Sequence, residues 1–139
     1  MELFYSTAIE DNTISLDEVE SAHCLRVLRH KIGDPITVTD GKGNRYSGII
    51  SAASKICKVE ITAHYFEKPS NNQLHIAIAP PKSIDRFEWF LEKATELGIE
   101  TITPLQCRYS ERKHINVERC SKILLSAMKQ SNRVYLPLL

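Results

Sequence analysis

Hydrophobic and polar positions change their rhythm near residue 67. Before it the chain alternates in short runs, and after it apolar residues recur at helical spacing. In the first part, Leu3 to Tyr5 reads as a short strand, and "ISLDEVE" reads as a helix start. Ser15 would cap that helix, Glu18 would complete a capping box, and Ile14 with Val19 would form a hydrophobic staple. The pattern carries the helix to about Arg29, and Gly33 releases the chain into strands at 36–39, 45–53 and 56–66. The glycines of "DGKGN" suit a hairpin turn between the first two. One helix among several antiparallel strands in so short a span predicts a small β-barrel.

"EKPSNN", residues 67–72, has a linker's composition and no periodicity, which predicts two units, 1–68 and 69–139. After it, "QLHIAIA" reads as a strand. Apolar residues at 84, 87, 91 and 94, with 90 and 97 alongside, predict a helix closed by Gly98, and "ETITPL" reads as a second strand. Strand, helix and strand make a βαβ unit with parallel strands and, by the handedness rule, a right-handed crossover. Positions 117, 120, 123, 124, 127 and 128 predict another amphipathic helix, capped by Asn116, before the strand-like "VYLPLL". The expected fold is thus α+β followed by α/β. A parallel sheet needs cover on both faces, so two helices leave this second unit unfinished.

With 42% hydrophobic and 25% charged residues among 139, the chain reads as an ordinary globular protein, and no apolar run reaches the roughly 20 residues of a membrane span. The N-terminus lacks the basic and apolar regions of a secretory signal, so the expected location is the cytoplasm. Cysteines 24, 57, 107 and 120 form no C-x-x-C pair and stand at no zinc-ligand spacing from a histidine, so no metal or disulfide framework is expected. Neither a G-x-G-x-x-G nor a P-loop motif is present.

The net charge of +1 hides a division. Residues 1–66 hold 7 basic and 9 acidic residues, whereas 67–139 hold 11 and 8. Between 106 and 133 stand Arg108, Arg112, Lys113, Arg119, Lys122, Lys129 and Arg133 against Glu111 and Glu118, a local excess that would attract a polyanion. "HCLRVLRHK" gathers His23, Arg26, Arg29, His30 and Lys31 at the end of the first helix. The helix dipole explains part of that cluster, and phosphate contact by paired arginine donors explains it equally well. Lys82, Arg86, Trp89 and Lys93 form a stripe at spacings of four, three and four. It could hold RNA phosphates and stack a base, unless Glu88, Glu92 and Glu96 neutralise it. These features fit an RNA-binding module without chemistry as well as an enzyme. A nucleotide-binding regulatory domain is disfavoured by the missing glycine loops.

Taken in order, "HCLRVLR", "GDPITVTDGKG", "PPKSIDRFEWFLEKATELGIETITPLQCRYSER" and "SAMKQSNRVYLP" resemble the ribosomal RNA small subunit methyltransferase E family over essentially the whole chain. The resemblance implies a PUA-like RNA-binding barrel followed by a SPOUT-type α/β methyltransferase domain with a trefoil knot. It further implies a homodimer that transfers a methyl group from S-adenosylmethionine to N3 of a uridine in 16S rRNA of the small ribosomal subunit. Carried over by motif, His23, Arg26 and Arg29 would face RNA from the barrel. Lys82, Arg86, Arg108, Ser110, Gln130 and Arg133 would surround the substrate cleft, with Lys93 on the same helix stripe. Arg108 or Arg133 would stabilise the developing uridine anion. Family members continue for most of another half-domain that forms the knot and the donor pocket, so the sequence is expected to stop before the knot, to hold no donor site and to be inactive alone.

Overall fold

Strand pairing in the computed structural model, which describes residues 2–139, separates two units, Met1–Lys68 and Pro69–Leu139. In the first, β1 (Leu3–Tyr5), β2 (Ala8–Glu10), β3 (Thr13–Ser15), β4 (Pro35–Thr39), β5 (Asn44–Ala53) and β6 (Cys57–Phe66) form one sheet. Its order is β1-β4-β5-β6-β3-β2, with β1 parallel to β4 and the other pairs antiparallel.

β1 and β2 are the two edges of this sheet, yet only Ser6 and Thr7 join them in sequence. The sheet must therefore curl until its edges approach. Ser6 ties them together: its N–H donates to the Thr39 carbonyl of β4 at 3.0 Å, and its Oγ donates to the Ser15 carbonyl of β3 at 2.6 Å. Inside the curl, Phe4, Ile14, Leu16, Ile36, Val38, Ile50 and Val59 pack with Cys24 and Cys57. The β4–β5 turn is held by Asp40, whose carboxylate accepts from the Lys42 and Asn44 N–H groups, while Gly41 and Gly43 take positive φ.

Four expectations for this unit are corrected. Ser15 belongs to β3, where it pairs with Lys58, so Asp17 caps the helix instead and accepts from the Glu20 N–H at 2.7 Å. No Ser15–Glu18 box forms, and the staple fails because Ile14 is in the core while Val19 is exposed. β2 and β3 escaped the sequence reading because each holds three residues and lacks the apolar run that marks Leu3–Tyr5. The helix is also not regular to Arg29: α1 (Glu18–Ala22) passes into a π-helical turn, His23–Val27, where the Leu28 N–H donates to the His23 carbonyl. Arg29 closes it at φ 58, and the His30 N–H reaches back to the Cys24 carbonyl. The wider turn lets Leu25 and Leu28 lie on the core while Arg26, Val27 and Arg29 stay exposed.

The second unit has β7 (His75–Ile78), α2 (Ile84–Leu97), β8 (Thr101–Pro104) and α3 (Val117–Gln130), with β7 and β8 parallel. Phe87, Leu91 and Ala94 of α2 and Cys120 and Leu124 of α3 bury their faces around Ile102. Asn116 caps α3 by accepting from the Arg119 N–H at 3.0 Å, and Gly98 ends α2 at φ 87. Leu97 and Val117, expected on the apolar faces, are exposed instead, because each sits at a helix terminus beyond the packed turns. "VYLPLL" forms no regular strand. It touches the sheet through one parallel bridge, Thr101 with Leu138, where the Ile102 N–H donates to the Leu138 carbonyl and the Leu138 N–H to the Glu100 carbonyl, both at 2.8 Å. The prolyl residue Pro137 allows no longer ladder here.

Candidate nucleic-acid interface

In the first unit the π-helical turn presents Arg26 and Arg29 to solvent, while His23 and His30 flank Phe4 at 6.2 and 6.1 Å between ring centroids. His23 Nε2 lies 3.0 Å from a Glu2 carboxylate oxygen and His30 Nδ1 lies 3.6 Å from Asp34. Both histidines are thus partly engaged in the protein, and the two arginines are the outward cations. Beside them runs a groove of about 450 Å³ lined by Glu18, Val19, Ala22, Leu25, Arg26 and Lys55, among others. Its walls are aliphatic, and its rim carries Arg26 beside Lys55, which is paired with Glu18 at 3.2 Å.

In the second unit the residues after β7 and β8 meet. Arg112 Nε donates to the Pro81 carbonyl at 3.1 Å and its Nη2 to the Lys82 carbonyl at 2.6 Å, which fastens the 105–116 loop over the segment leading into α2. A groove of about 190 Å³ opens there at the carboxyl ends of both strands, lined by Pro80, Pro104, Leu105, Gln106, Arg112, Lys113, His114 and Ile115. Open α/β sheets bind ligands at such ends. Lys82 is exposed, with its Nζ 3.8 Å from Glu111, a loose contact of little energetic weight.

The expected stripe on α2 divides. Arg86 and Trp89 are exposed, whereas Lys93 lies between Glu96 at 3.3 Å and Glu92 at 3.4 Å, and those hydrogen bonds hold its ammonium above the usual lysine range. Arg119 is likewise occupied: its Nε and Nη2 both donate to the Glu88 carboxylate, which that pairing holds below the usual carboxylate range. Lys122 pairs with Glu118 at 3.0 Å. Within 106–133, Arg119 and Lys122 are therefore each balanced by a carboxylate at close range.

Arg108 is exposed with its guanidinium 5.5 Å from the Tyr109 ring centroid, and Ser110 accepts from the Cys107 N–H through its Oγ at 2.9 Å. Gln130 is exposed at the last position of α3. Arg133 donates from Nε to the Glu96 carbonyl at 2.7 Å, capping the end of α2. The structure thus gathers Lys82 with Arg112, Lys113 and His114, while Lys93 and Arg133 are bound to α2. The sequence places Arg112 only within a basic run and gives His114 no role. A basic run marks Arg112 as a cation, but its two backbone acceptors lie about 30 residues away in the chain, beyond any local pattern. Among the described residues no cluster of three His, Cys, Asp or Glu side chains could hold a metal ion, and no helix is long and apolar enough to cross a membrane.

These two surfaces coincide with two family models. The RNA methyltransferase PUA domain model matches residues 16–62, and the RNA methyltransferase domain model matches residues 68–139. The chain belongs to the RNA methyltransferase family. Within it, its relatives are ribosomal RNA small subunit methyltransferase E proteins. That of Rickettsia conorii is 28% identical over 136 residues, covering 96% of this chain and 55% of the relative, and that of Bacillus subtilis is 30% identical over 138 residues, covering 92% and 53%. Among solved structures, a probable rRNA methyltransferase from Porphyromonas gingivalis shares 38% identity with a TM-score of 0.90, over 99% of this chain and 58% of that one. The Neisseria gonorrhoeae ribosomal RNA small subunit methyltransferase E bound to S-adenosyl methionine shares 26% with a TM-score of 0.81, over 100% and 60%. The chain thus spans a little over half the length of these relatives.

Proposed function

We propose that the protein methylates N3 of a uridine in 16S rRNA of the small ribosomal subunit with S-adenosylmethionine as donor, and that this segment reads RNA and scaffolds the transfer. The observation that carries the reading is that one family model falls on each unit, each beside a cationic surface. Residues 1–68 act as the PUA-like barrel and 69–139 as the first part of a SPOUT domain, in a cytoplasmic homodimer.

The donor does not fit the groove at the strand ends, and the adjoining groove of about 320 Å³, lined by Lys82, Glu111, Arg112, Lys113 and His114, sets its one carboxylate among cations. The strand-end groove of about 190 Å³ is below the roughly 300 Å³ at which small-molecule pockets begin, and its lining carries Arg112 and Lys113 but no carboxylate to face a sulfonium. The donor pocket then draws on other residues, and the chain alone methylates nothing. What its own side chains supply is position and charge. N3 of a paired uridine is occupied, so the target base must be unpaired, and the exposed Arg26, Arg29, Lys82 and Arg86 would hold the flanking phosphates. Once N3 loses its proton, a nearby guanidinium stabilises the uridine anion. Arg108, which is exposed, suits this better than Arg133, whose Nε already serves Glu96. The exposed Arg26, Arg29, Lys82 and Arg86 also suit a second reading, an RNA-binding module without chemistry.

Calorimetric titration of the 139-residue chain with S-adenosylmethionine and, separately, with a single-stranded fragment of 16S rRNA tests both parts. Binding of RNA alone is expected. Micromolar binding of the donor would overturn the placement of the pocket, and failure to bind RNA would overturn the RNA reading.

A further inference from the structure

Strand β6 loses its neighbour on one side halfway along its length. β3 pairs with it only at Lys58, Val59 and Glu60, and Asn12 then closes the ladder by accepting from the Ile61 N–H at 2.9 Å and donating from Nδ2 to the Ile61 carbonyl at 3.0 Å. From Thr62 to Phe66 no strand lies on that side among the described residues, although β5 stays paired on the other as far as Asn44 with Phe66.

Aromatic rings collect along this open stretch. Tyr46 of β5 and His64 of β6 are cross-strand partners whose rings stack with centroids 4.7 Å apart and planes within 12°. A chain of hydrogen bonds fixes that orientation: His64 Nε2 donates to Asn44 Oδ1 at 2.7 Å, and Asn44 Nδ2 donates to Asp40 Oδ2 at 2.7 Å. Tyr46 covers one face of the imidazole from the β5 side, so the other face is turned toward the open edge. His64 is exposed, and Phe66, two residues on and hence on the same side of the strand, is 50% exposed. Tyr65 on the opposite side is 64% exposed. Lys42 and Lys68 are exposed at the same end, which the Glu67 N–H draws in by donating to the Gly43 carbonyl at 2.9 Å. Packing explains Tyr46, which lies against the core. It does not explain three further rings left in water at a sheet edge.

We infer that this end of the β5–β6 ribbon is a stacking platform for an unpaired base of single-stranded RNA, which would extend the Tyr46–His64 stack over the free imidazole face. Lys42 and Lys68 would contact the adjoining phosphates. A planar base matches a ring already held parallel to its neighbour, and stacking on aromatic side chains is the common means of gripping unpaired nucleotides. His64, Tyr65 and Phe66 fall between the two segments that the family models match, and the platform shares no residue with either surface described above. It rests on the RNA reading.

The test is binding of a short single-stranded oligoribonucleotide carrying 2-aminopurine to the chain and to His64→Ala, His64→Phe and Arg26→Ala, with folding verified by circular dichroism. His64→Ala should weaken binding about fivefold or more and leave the salt slope unchanged, since stacking releases no counterions, while His64→Phe should retain affinity and 2-aminopurine quenching. If the chain binds RNA and His64→Ala binds it equally well, the platform is wrong and the RNA reading stands, as a loss confined to Arg26→Ala would underline. His64→Phe as weak as His64→Ala also overturns the platform, because the bond to Asn44 rather than the ring would then matter. A chain that binds no RNA overturns both.

Discussion

Arg133 and Gly98 constrain each other at the end of α2. A Cβ on residue 98 would stand 2.7 Å from Arg133 Nη1, and the backbone there has φ 87, which side chains other than glycine rarely adopt. Gly98→Ala should therefore destabilise the second unit by about 1–2 kcal/mol, read as a lower urea midpoint. In an Arg133→Ala background the same change should cost less, since the clash is gone and only the backbone strain is left. An unchanged cost in the double-mutant cycle would show the contact to be irrelevant. Cys24 gives a second test at this scale. Burial first, then the neighbouring Cys57, pushes its thiol from the ordinary 9.0 up to about 12. A raised pKa favours the protonated form in the fold, so its stabilisation is complete below pH 9 and is lost as pH climbs toward 12. Urea unfolding at pH 8 and pH 10 should show a steeper loss for the native chain than for Cys24→Ala. Equal losses would mean the thiol does not contribute.

At the scale of elements, the 105–116 loop depends on Arg112. Its two donors reach separate carbonyls, Pro81 and Lys82, which a lysine's single ammonium matches poorly. Arg112→Lys and Arg112→Ala should both accelerate hydrogen exchange in residues 105–116, while α3 keeps its protection. Unaltered exchange would remove Arg112 from its role as the fastener. This dependence also shows what the sequence makes legible. α2, α3 and their Asn116 and Gly98 ends follow from local periodicity and turn chemistry, because each signal lies within one or two helical turns of its consequence. The π-helical turn at His23–Val27 and the Asp17 cap do not, because β3 claims Ser15 through pairing with β6, some 43 residues on. Candidate residues behave likewise. Arg26, Arg29 and Lys82 are exposed cations, as their polar surroundings in the sequence allow, whereas the engagement of Lys93, Arg119 and Arg133 depends on where neighbouring acidic groups and helix ends fall in the packed unit.

For the molecule as a whole, a count of charges overstates the surface offered to a polyanion. Residues 106–133 hold seven cations against two carboxylates, yet Arg119 is committed to Glu88, Lys122 to Glu118 and Arg133 to the end of α2. A cation already paired inside the protein releases no counterion when RNA arrives, since its charge is compensated before binding. The logarithm of RNA affinity should thus fall with the logarithm of salt by about 0.7 for each phosphate contacted by an unpaired cation. Removing Arg26, Arg29 or Arg86 one at a time should lower that slope by about this amount each. Arg119→Ala frees Glu88 and should weaken binding by adding a negative charge, with no fall in slope. Filter binding across salt concentrations separates the two patterns. If Arg119→Ala lowered the slope as much as Arg86→Ala, the pairing seen in the fold would not govern the surface, and total charge rather than local geometry would set RNA affinity.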